Sequence, residues 1–176
     1  MLHPLFINFI EHFNGDRDYF ECHEVLEEYW KEIDPGNKDH PLTAWIQLAT
    51  GLYHWRRNNY SGALRMMNKS FDKMTDSQDS VFFEGIDMEQ LLSDMTRSLD
   101  AIKNTESFVP FKLRLSKELL GEQVDEDNLE DLFSKTDPEW LIHKHMRRDR
   151  SHILQERQAS LEERNKNRTL RPPQSS

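Results

Sequence analysis

The stretch ECHEVLEEYW, from Glu21 to Trp30, decides the fold because its apolar residues recur at the spacing of one helix face. At about 100° per residue, that face consists of Cys22, Val25, Leu26 and Tyr29, with Trp30 at its border. His23 and Glu27 continue the same border, so a histidine and a carboxylate lie one helical turn apart at the edge of a core. Glu24 and Glu28 are expected to point outward as a solvated acidic face.

Helix start and stop signals predict two helices, one before this stretch and one that contains it. The first helix is expected from about Pro4 to Asn14, because proline suits the first turn and glycine follows the last residue. Asp18, with Glu21 three residues later, forms an Asp variant of the capping box. The second helix therefore starts at this cap and continues to about Ile33.

Three further helices complete a bundle. The third follows Pro41 and lasts to about Asn58, the fourth follows the turn at residues 59–62, and the fifth is capped by Asp87. The short connections on either side of the third helix imply antiparallel neighbours. The tryptophans at helical spacing, which we predict to be core residues, are Trp30, Trp45 and Trp55.

The chain changes character after the fifth helix. FVPFKLRL, from Phe108 to Leu115, alternates and contains a proline, which predicts an extended strap across the bundle rather than a strand of a sheet. An Asp-Pro pair at 137–138 opens a last, basic helix. We therefore expect a helical bundle domain at residues 1–143, followed by a basic C-terminal helix and disordered tail at residues 144–176. The predicted fold is all-α, with about five helices plus that long basic helix.

Charge is divided unevenly along the chain. The net charge of the 176 residues is −9, with −14 on residues 1–143 and +5 on residues 144–176. An acidic body disfavours nucleic acid or an anionic membrane as its own partner. The basic tail has three interpretations: docking on the acidic body, binding a protein partner or second copy, and binding nucleic acid. A protein partner or self-association is favoured over nucleic acid, and no membrane partner is expected.

Cysteine usage indicates a reducing compartment. Cys22 is the only cysteine, so an intrachain disulfide is excluded, and its place on the apolar face predicts a buried structural thiol. No basic leader or long apolar run occurs in the sequence. We therefore expect a cytoplasmic protein.

Two segments carry a resemblance to a known family. FNGDRDYFECHEVLEEYW, residues 13–30, and WIQLATGLYHWRRNNYSGA, residues 45–63, resemble the domain of unknown function 309 family. Its signature is an E-x-H-E-x-x-E helix followed by an I-Q-L-A helix that ends in an N-x-x-G-A turn. The resemblance covers residues 10–75, with Thr43 and Ala44 where the family usually has Gln-Gly. It implies an all-helical bundle and no established activity.

The His23 segment also carries the candidate chemistry. His23, Glu24 and Glu27 spell H-E-x-x-E, one residue away from the zinc-protease pattern H-E-x-x-H. His23 and Glu27 are candidate ligands for a divalent metal ion, with His54 as a third ligand and Gln47 beside it. In that interpretation Glu24 would act as a catalytic base.

Two interpretations without a metal remain open for the same residues. His23 and Glu27 could form a structural pair that holds two helices in register. A further interpretation, which the sequence favours less than the structural pair, is a metal-free ligand-binding or acid/base site. Beyond a divalent metal ion as a hypothesis, the sequence indicates no cofactor.

The function that the sequence favours is a non-catalytic binding or interaction module, with a His/Glu pocket between the second and third helices. One alternative is a metal-dependent hydrolase-like enzyme that uses the H-E-x-x-E helix. Another is a nucleic-acid-associated protein that acts through its basic tail. The sequence contains no P-loop, dinucleotide fingerprint, nucleophile elbow or C-x-x-C pair, so the familiar enzyme classes that need them are excluded.

Overall fold

The computed structural model describes residues 2–119, 124 and 141–142. These residues belong to the first of two units, Met1–Ile142, and the second unit, His143–Ser176, lies outside the described residues. Apart from Leu141 and Ile142, so does the predicted last helix. The division into a bundle and a basic tail therefore stays a prediction.

The described part of the chain contains five α-helices and no β-strand, which confirms the all-α bundle. The helices are α1 (Pro4–Asn14), α2 (Tyr19–Ile33), α3 (Leu42–Arg56), α4 (Tyr60–Asp76) and α5 (Met88–Lys103). The first two end where the sequence predicts, and α3 ends two residues earlier. Contacts run between successive helices, and the most extensive join α3 to α4 and α2.

Side-chain caps explain where three of these helices begin. The side chains of Asp18, Asn59 and Asp87 each accept a hydrogen bond from the backbone N–H three residues later. The half of the predicted capping box in which Asp18 accepts from Glu21 is therefore present. The backbone N–H of Asp18 itself donates to Oδ1 of Asp16 at 2.9 Å.

Tryptophan positions define the core and its margin. Trp45 and Trp55 are fully buried, and their indole N–H groups donate to the backbone oxygens of Phe82 and Glu106. Trp30 is only half-buried, and its indole N–H donates to the oxygen of Asn37. The core prediction is therefore confirmed for two tryptophans and wrong for Trp30, because that residue borders the apolar face of α2.

Helices α3 and α4 approach each other closely at a glycine. A Cβ atom added to Gly51 would lie 2.8 Å from Cγ of Met67, closer than unstrained atoms pack. One turn further along α4, the hydroxyl of Ser70 donates to the backbone oxygen of Ala44 at 2.7 Å. Small and polar residues therefore set the separation of these two helices.

The segment after α5 is extended, as the Pro-containing pattern predicts. Phe108 contacts the rings of Tyr19 and Trp55, with centroids 5.8 and 5.1 Å apart. Leu115 makes an isolated antiparallel bridge with Ile86 and no longer ladder among the described residues. This strap, residues 108–115, closes the core.

A short 3₁₀ turn, Val81–Phe83, precedes α5 and was not predicted from the sequence. It buries Phe83 to 2% exposure, so the polar break between α4 and α5 contributes a core side chain. No helix among the described residues is long and apolar enough to cross a membrane.

Candidate functional site

Helix α2 holds the candidate residues at the margin of the core. The apolar face predicted for this helix is buried and consists of Cys22, Val25, Leu26 and Tyr29. Burial of this face fixes the rotation of the helix, so the side chains beside it are only partly exposed. The His23 side chain is 29% exposed and that of Glu27 is 35% exposed, and both are therefore mostly shielded from solvent.

The site consists of one imidazole between two carboxylates. Nδ1 of His23 lies 3.2 Å from Oε1 of Glu24, and Nε2 lies 3.9 Å from Oε2 of Glu27. One ligand atom from each residue lies within 4.8 Å of the others. The proximity expected for His23 and Glu27 is present, and their role as ligands stays a prediction. We call these three residues the His23 cluster.

The outward orientation expected for Glu24 is wrong. Its side chain turns back along the helix to meet the adjacent imidazole and is 35% exposed, whereas Glu28 is exposed as expected. A carboxylate beside a histidine gains a charge-assisted hydrogen bond that a fully solvated carboxylate lacks. Helical spacing places the Cα atoms of these residues and leaves the side-chain rotamers open.

A lysine takes part in the same cluster. Nζ of Lys31 lies 3.2 Å from Oε1 of Glu27, one helical turn further along α2. This ammonium occupies one oxygen of the carboxylate and offsets part of its charge. A cation that binds at Glu27 must therefore compete with Lys31.

Aromatic rings, rather than the histidine pair, connect α2 to α3 here. The ring of Phe20 lies 5.9 Å from the Tyr53 ring on α3 and 6.5 Å from the His23 ring. The two carboxylate contacts of His23 both lie within α2, so they do not tie one helix to the other. The structural interpretation, in which His23 and Glu27 hold two helices in register, loses support.

His54 has different surroundings from the His23 cluster. Its Nδ1 lies 3.2 Å from Nδ2 of Asn59, and its ring neighbours that of Tyr53. Burial lowers the pKa of His54, and the positive charges of Arg65 and Arg57 lower it further. A positive environment disfavours a bound cation, so this geometry gives no support to His54 as the third ligand, and that role stays a prediction.

Gln47 lies about two helical turns before His54 on α3 and is half-buried. Its side-chain oxygen is buried and accepts no hydrogen bond in the described structure. A buried acceptor without a donor costs roughly 1–3 kcal/mol. This oxygen is therefore suited to a ligand donor or a water molecule, which supports keeping Gln47 among the predicted ligand-binding residues.

Sequence reasoning missed a partly buried cation at the end of α3. The guanidinium of Arg56 lies 5.0 Å from the centroid of the Tyr19 ring, and its Nη1 donates to the backbone oxygen of Arg17 at 2.7 Å. Burial lowers the pKa of Arg56, while the neighbouring Tyr19 and Asp18 raise it. Burial also raises the pKa of the Cys22 thiol, as expected for a structural cysteine.

Together the fold and the site define a small all-helical protein with a His–Glu cluster on its second helix. The model of the family "Domain of unknown function (DUF309)" matches residues 6–66. The chain is 34% identical over 168 residues to "Uncharacterized protein YpuF" of Bacillus subtilis (strain 168), and the match covers 93% of this chain and 97% of that protein. No solved structure matches the chain.

The chain therefore belongs to the DUF309 family, as the two quoted segments predict. The family match contains the whole of α2 and α3, so the His23 cluster lies inside it. The names of the family and of the Bacillus protein state no activity.

Proposed function

We propose that this protein is a non-catalytic binding module that binds a divalent transition-metal ion at the His23 cluster. In this proposal Nε2 of His23 and Oε2 of Glu27 are the ligand atoms. The observation that supports it most is their separation of 3.9 Å. Metal–nitrogen and metal–oxygen bonds are about 2.0–2.2 Å long, so two donors at this separation can share one ion after a small adjustment.

Glu24 has a supporting role in this proposal. Its carboxylate lies 3.2 Å from Nδ1 of His23, so that nitrogen can carry the proton and donate it to Glu24. The lone pair of Nε2 then remains for the ion. Metal-binding histidines commonly have such a carboxylate partner, which fixes the tautomer and strengthens the ligand.

The donor set selects a class of ion. One imidazole nitrogen and carboxylate oxygens suit Mn²⁺, Fe²⁺, Co²⁺, Ni²⁺ and Zn²⁺, whereas Ca²⁺ and Mg²⁺ prefer oxygen ligands alone. The partial exposure of both ligands and the competition from Lys31 make the site weak. Weak, exposed binding favours a module that responds to the ion over one that holds it permanently.

The hydrolase-like alternative has less support. It requires Glu24 as a base that faces a metal-bound water, yet this carboxylate is already bonded to the His23 imidazole. The cluster also brings together residues of α2 alone, without a further ligand from α3. We therefore favour ion binding without catalysis.

The test is a titration of the full-length chain with Co²⁺, whose absorption spectrum reports ligand binding. The protein is prepared without a histidine tag, nickel column or chelator. We expect one ion per chain, loss of that binding in His23→Gln and in Glu27→Gln, and a roughly 10–100-fold lower affinity in Glu24→Gln. Lys31→Met should bind more tightly than the wild type, because it removes the competing ammonium.

His12→Gln is the matched control, because His12 and Asp16 form the same kind of i, i+4 histidine–carboxylate pair outside the cluster. This variant should bind Co²⁺ like the wild type. If His23→Gln and Glu27→Gln also bind like the wild type, the assignment of the site is wrong. Unchanged affinity in Lys31→Met would contradict the arrangement around Glu27.

We also propose a cytoplasmic location, supported by the single, buried and unreactive thiol of Cys22. Self-association or a protein partner bound through residues 144–176 remains our proposal for the basic tail, which lies outside the described residues. Size measurements of the chain with and without residues 144–176, at low and at high salt, would test it. Screening at high salt should dissociate an assembly that depends on these charges.

A further inference from the structure

A half-open cavity of about 650 Å³ lies where four parts of the bundle meet. Its wall is formed by the start of α1, the end of α2, the residues after α4 and residues 116–119. None of the three His23 cluster residues lines it. The volume lies in the range of roughly 300–1,000 Å³ that is typical of small-molecule sites.

Aromatic rings form one wall of the cavity. The His3 ring stacks on Tyr29, with centroids 4.1 Å apart and an angle of 13° between the ring planes. The ring of Phe82 meets Tyr29 at 6.1 Å and 64°, and Phe6 lines the cavity beneath them. Aromatic faces carry negative electrostatic potential, so such a wall attracts a cation as well as an apolar group.

The His3 ring is held in place by one hydrogen bond besides the stack, and a carboxylate lies near its other nitrogen. Its Nδ1 accepts a hydrogen bond from the backbone N–H of Leu5 at 3.3 Å, which caps α1. The proton of the neutral ring is therefore on Nε2, which lies 3.8 Å from Oε2 of Glu32. This part of the wall is formed before any ligand binds.

The charged residues of the cavity have one sign. Glu84 and Glu118 line it, and its described lining contains no lysine or arginine. Hydrogen bonds from its own backbone N–H and from the Ser116 hydroxyl lower the pKa of Glu118, so this carboxylate stays ionised in mild acid. Both glutamates are exposed, and their attraction for a ligand is therefore weakened by salt.

We propose that this cavity binds a small organic cation, an ammonium ion with an apolar or aromatic body. The body would contact Tyr29 and Phe82, and the positive charge would face Glu84 and Glu118. A neutral ligand would gain only the contact with the aromatic wall. An anion would be repelled by the two glutamates. The proposal uses other residues than the metal site, so either can fail alone.

The probe is benzyltrimethylammonium, titrated calorimetrically into the full-length chain at low salt. Benzyl alcohol and phenylacetate provide a neutral and an anionic ligand with the same ring. We expect the cation to bind up to roughly fivefold more tightly than the alcohol, the advantage that one exposed ion pair can give. Phenylacetate should bind more weakly than either.

Glu84→Gln/Glu118→Gln is the deciding variant. In this variant the affinity for the cation should fall to the affinity for the alcohol. Glu28→Gln/Glu89→Gln makes the same change of net charge at two exposed glutamates outside the cavity lining, and it should bind like the wild type. Phe82→Leu tests the aromatic wall and should weaken binding of the cation more than binding of the alcohol. Thermal melting of each variant verifies that it is folded.

Three results would overturn the proposal. These are a cation that binds no more tightly than the alcohol, phenylacetate as the tightest ligand, and equal losses in the two double glutamine variants. The last result would mean that the overall negative charge of the protein, rather than the cavity, attracts the cation.

Discussion

His12 and Asp16 connect the end of one helix to the start of the next through a single pair of side chains. Nδ1 of His12 lies 3.1 Å from Oδ2 of Asp16, whose Oδ1 accepts the backbone N–H of Asp18. Burial lowers the pKa of His12, but the hydrogen bond to Asp16 and the surrounding carboxylates raise it more. The net pKa lies above the ordinary value of about 6.5.

The raised pKa predicts how this pair contributes to stability. A histidine whose pKa is higher in the folded state stabilises the fold fully below its unfolded pKa, and the gain is lost as pH rises through the folded pKa. The free energy of unfolding of the wild type minus that of His12→Gln should therefore be largest near pH 5.5 and fall toward pH 8.5. Urea unfolding at several pH values measures this difference.

Asp16→Asn provides the partner variant, because it removes the main cause of the raised pKa. When both proteins carry Asp16→Asn, the difference between wild type and His12→Gln should no longer fall as pH rises, because burial, which lowers the pKa of His12, is then opposed only by the charges of Asp18 and Glu21. In the proteins that keep Asp16, a difference that grows with pH would contradict the raised pKa of His12.

Among the helices, the contact between α3 and α4 depends on a residue without a side chain. Gly51 is buried within α3, and an added Cβ would lie 2.9 Å from Sδ and 3.2 Å from the backbone nitrogen of Met67. The thioether can move, but the backbone nitrogen can move only if the two helices separate. The gain in helix propensity from alanine, about 1 kcal/mol, opposes this strain.

We predict that Gly51→Ala lowers the free energy of unfolding by about 1–3 kcal/mol, the usual cost of overpacking a core. Chemical denaturation measures the change. In a double-mutant cycle with Met67→Ala, the two changes should cost less together than the sum of the single variants, because Met67→Ala removes Cγ and Sδ, the two closest atoms, and leaves only the backbone nitrogen. Additive costs would show that the Met67 side chain is not a source of the strain.

At the scale of the whole molecule, one side chain ties the end of the first helix to the strap. The side chain of Asn14 donates to the backbone oxygen of Leu113 at 2.9 Å and accepts from its backbone N–H at 2.8 Å. The two residues are 99 positions apart, and both are buried. One amide therefore satisfies both backbone groups of a strap residue.

Asn14→Ala should destabilise the protein by roughly 2–6 kcal/mol, since two buried backbone groups lose their partners at about 1–3 kcal/mol each. It should also increase proteolytic cleavage within the strap, residues 108–115. Asn68→Ala is the matched control, because the exposed Asn68 donates to the Leu64 carbonyl of its own helix and, among the described residues, to no strap residue. That control should stay within about 0.5 kcal/mol of the wild type. Equal costs in the two variants would mean that Asn14 does not secure the strap.

Local sequence signals determined the helices and the face of α2 that is buried. The Asp18 cap and the apolar spacing of Val25 and Tyr29 act within one or two helical turns, so they can be read without knowing the rest of the fold. For the same reason the sequence predicted that His23 and Glu27 would lie close together at the core margin.

Tertiary structure decided what those residues and the remaining segments meet. The cavity beside Tyr29 joins side chains from α1, α2 and residues 116–119, and the Asn14–Leu113 contact spans 99 positions, so no local pattern contains either. The environment of His54 likewise depends on Arg65 of the next helix. Helix formation responds to neighbours in sequence, whereas charge, burial and hydrogen-bond partners at a site respond to neighbours in space. Only the packing of the helices brings residues that are distant in sequence together at one site.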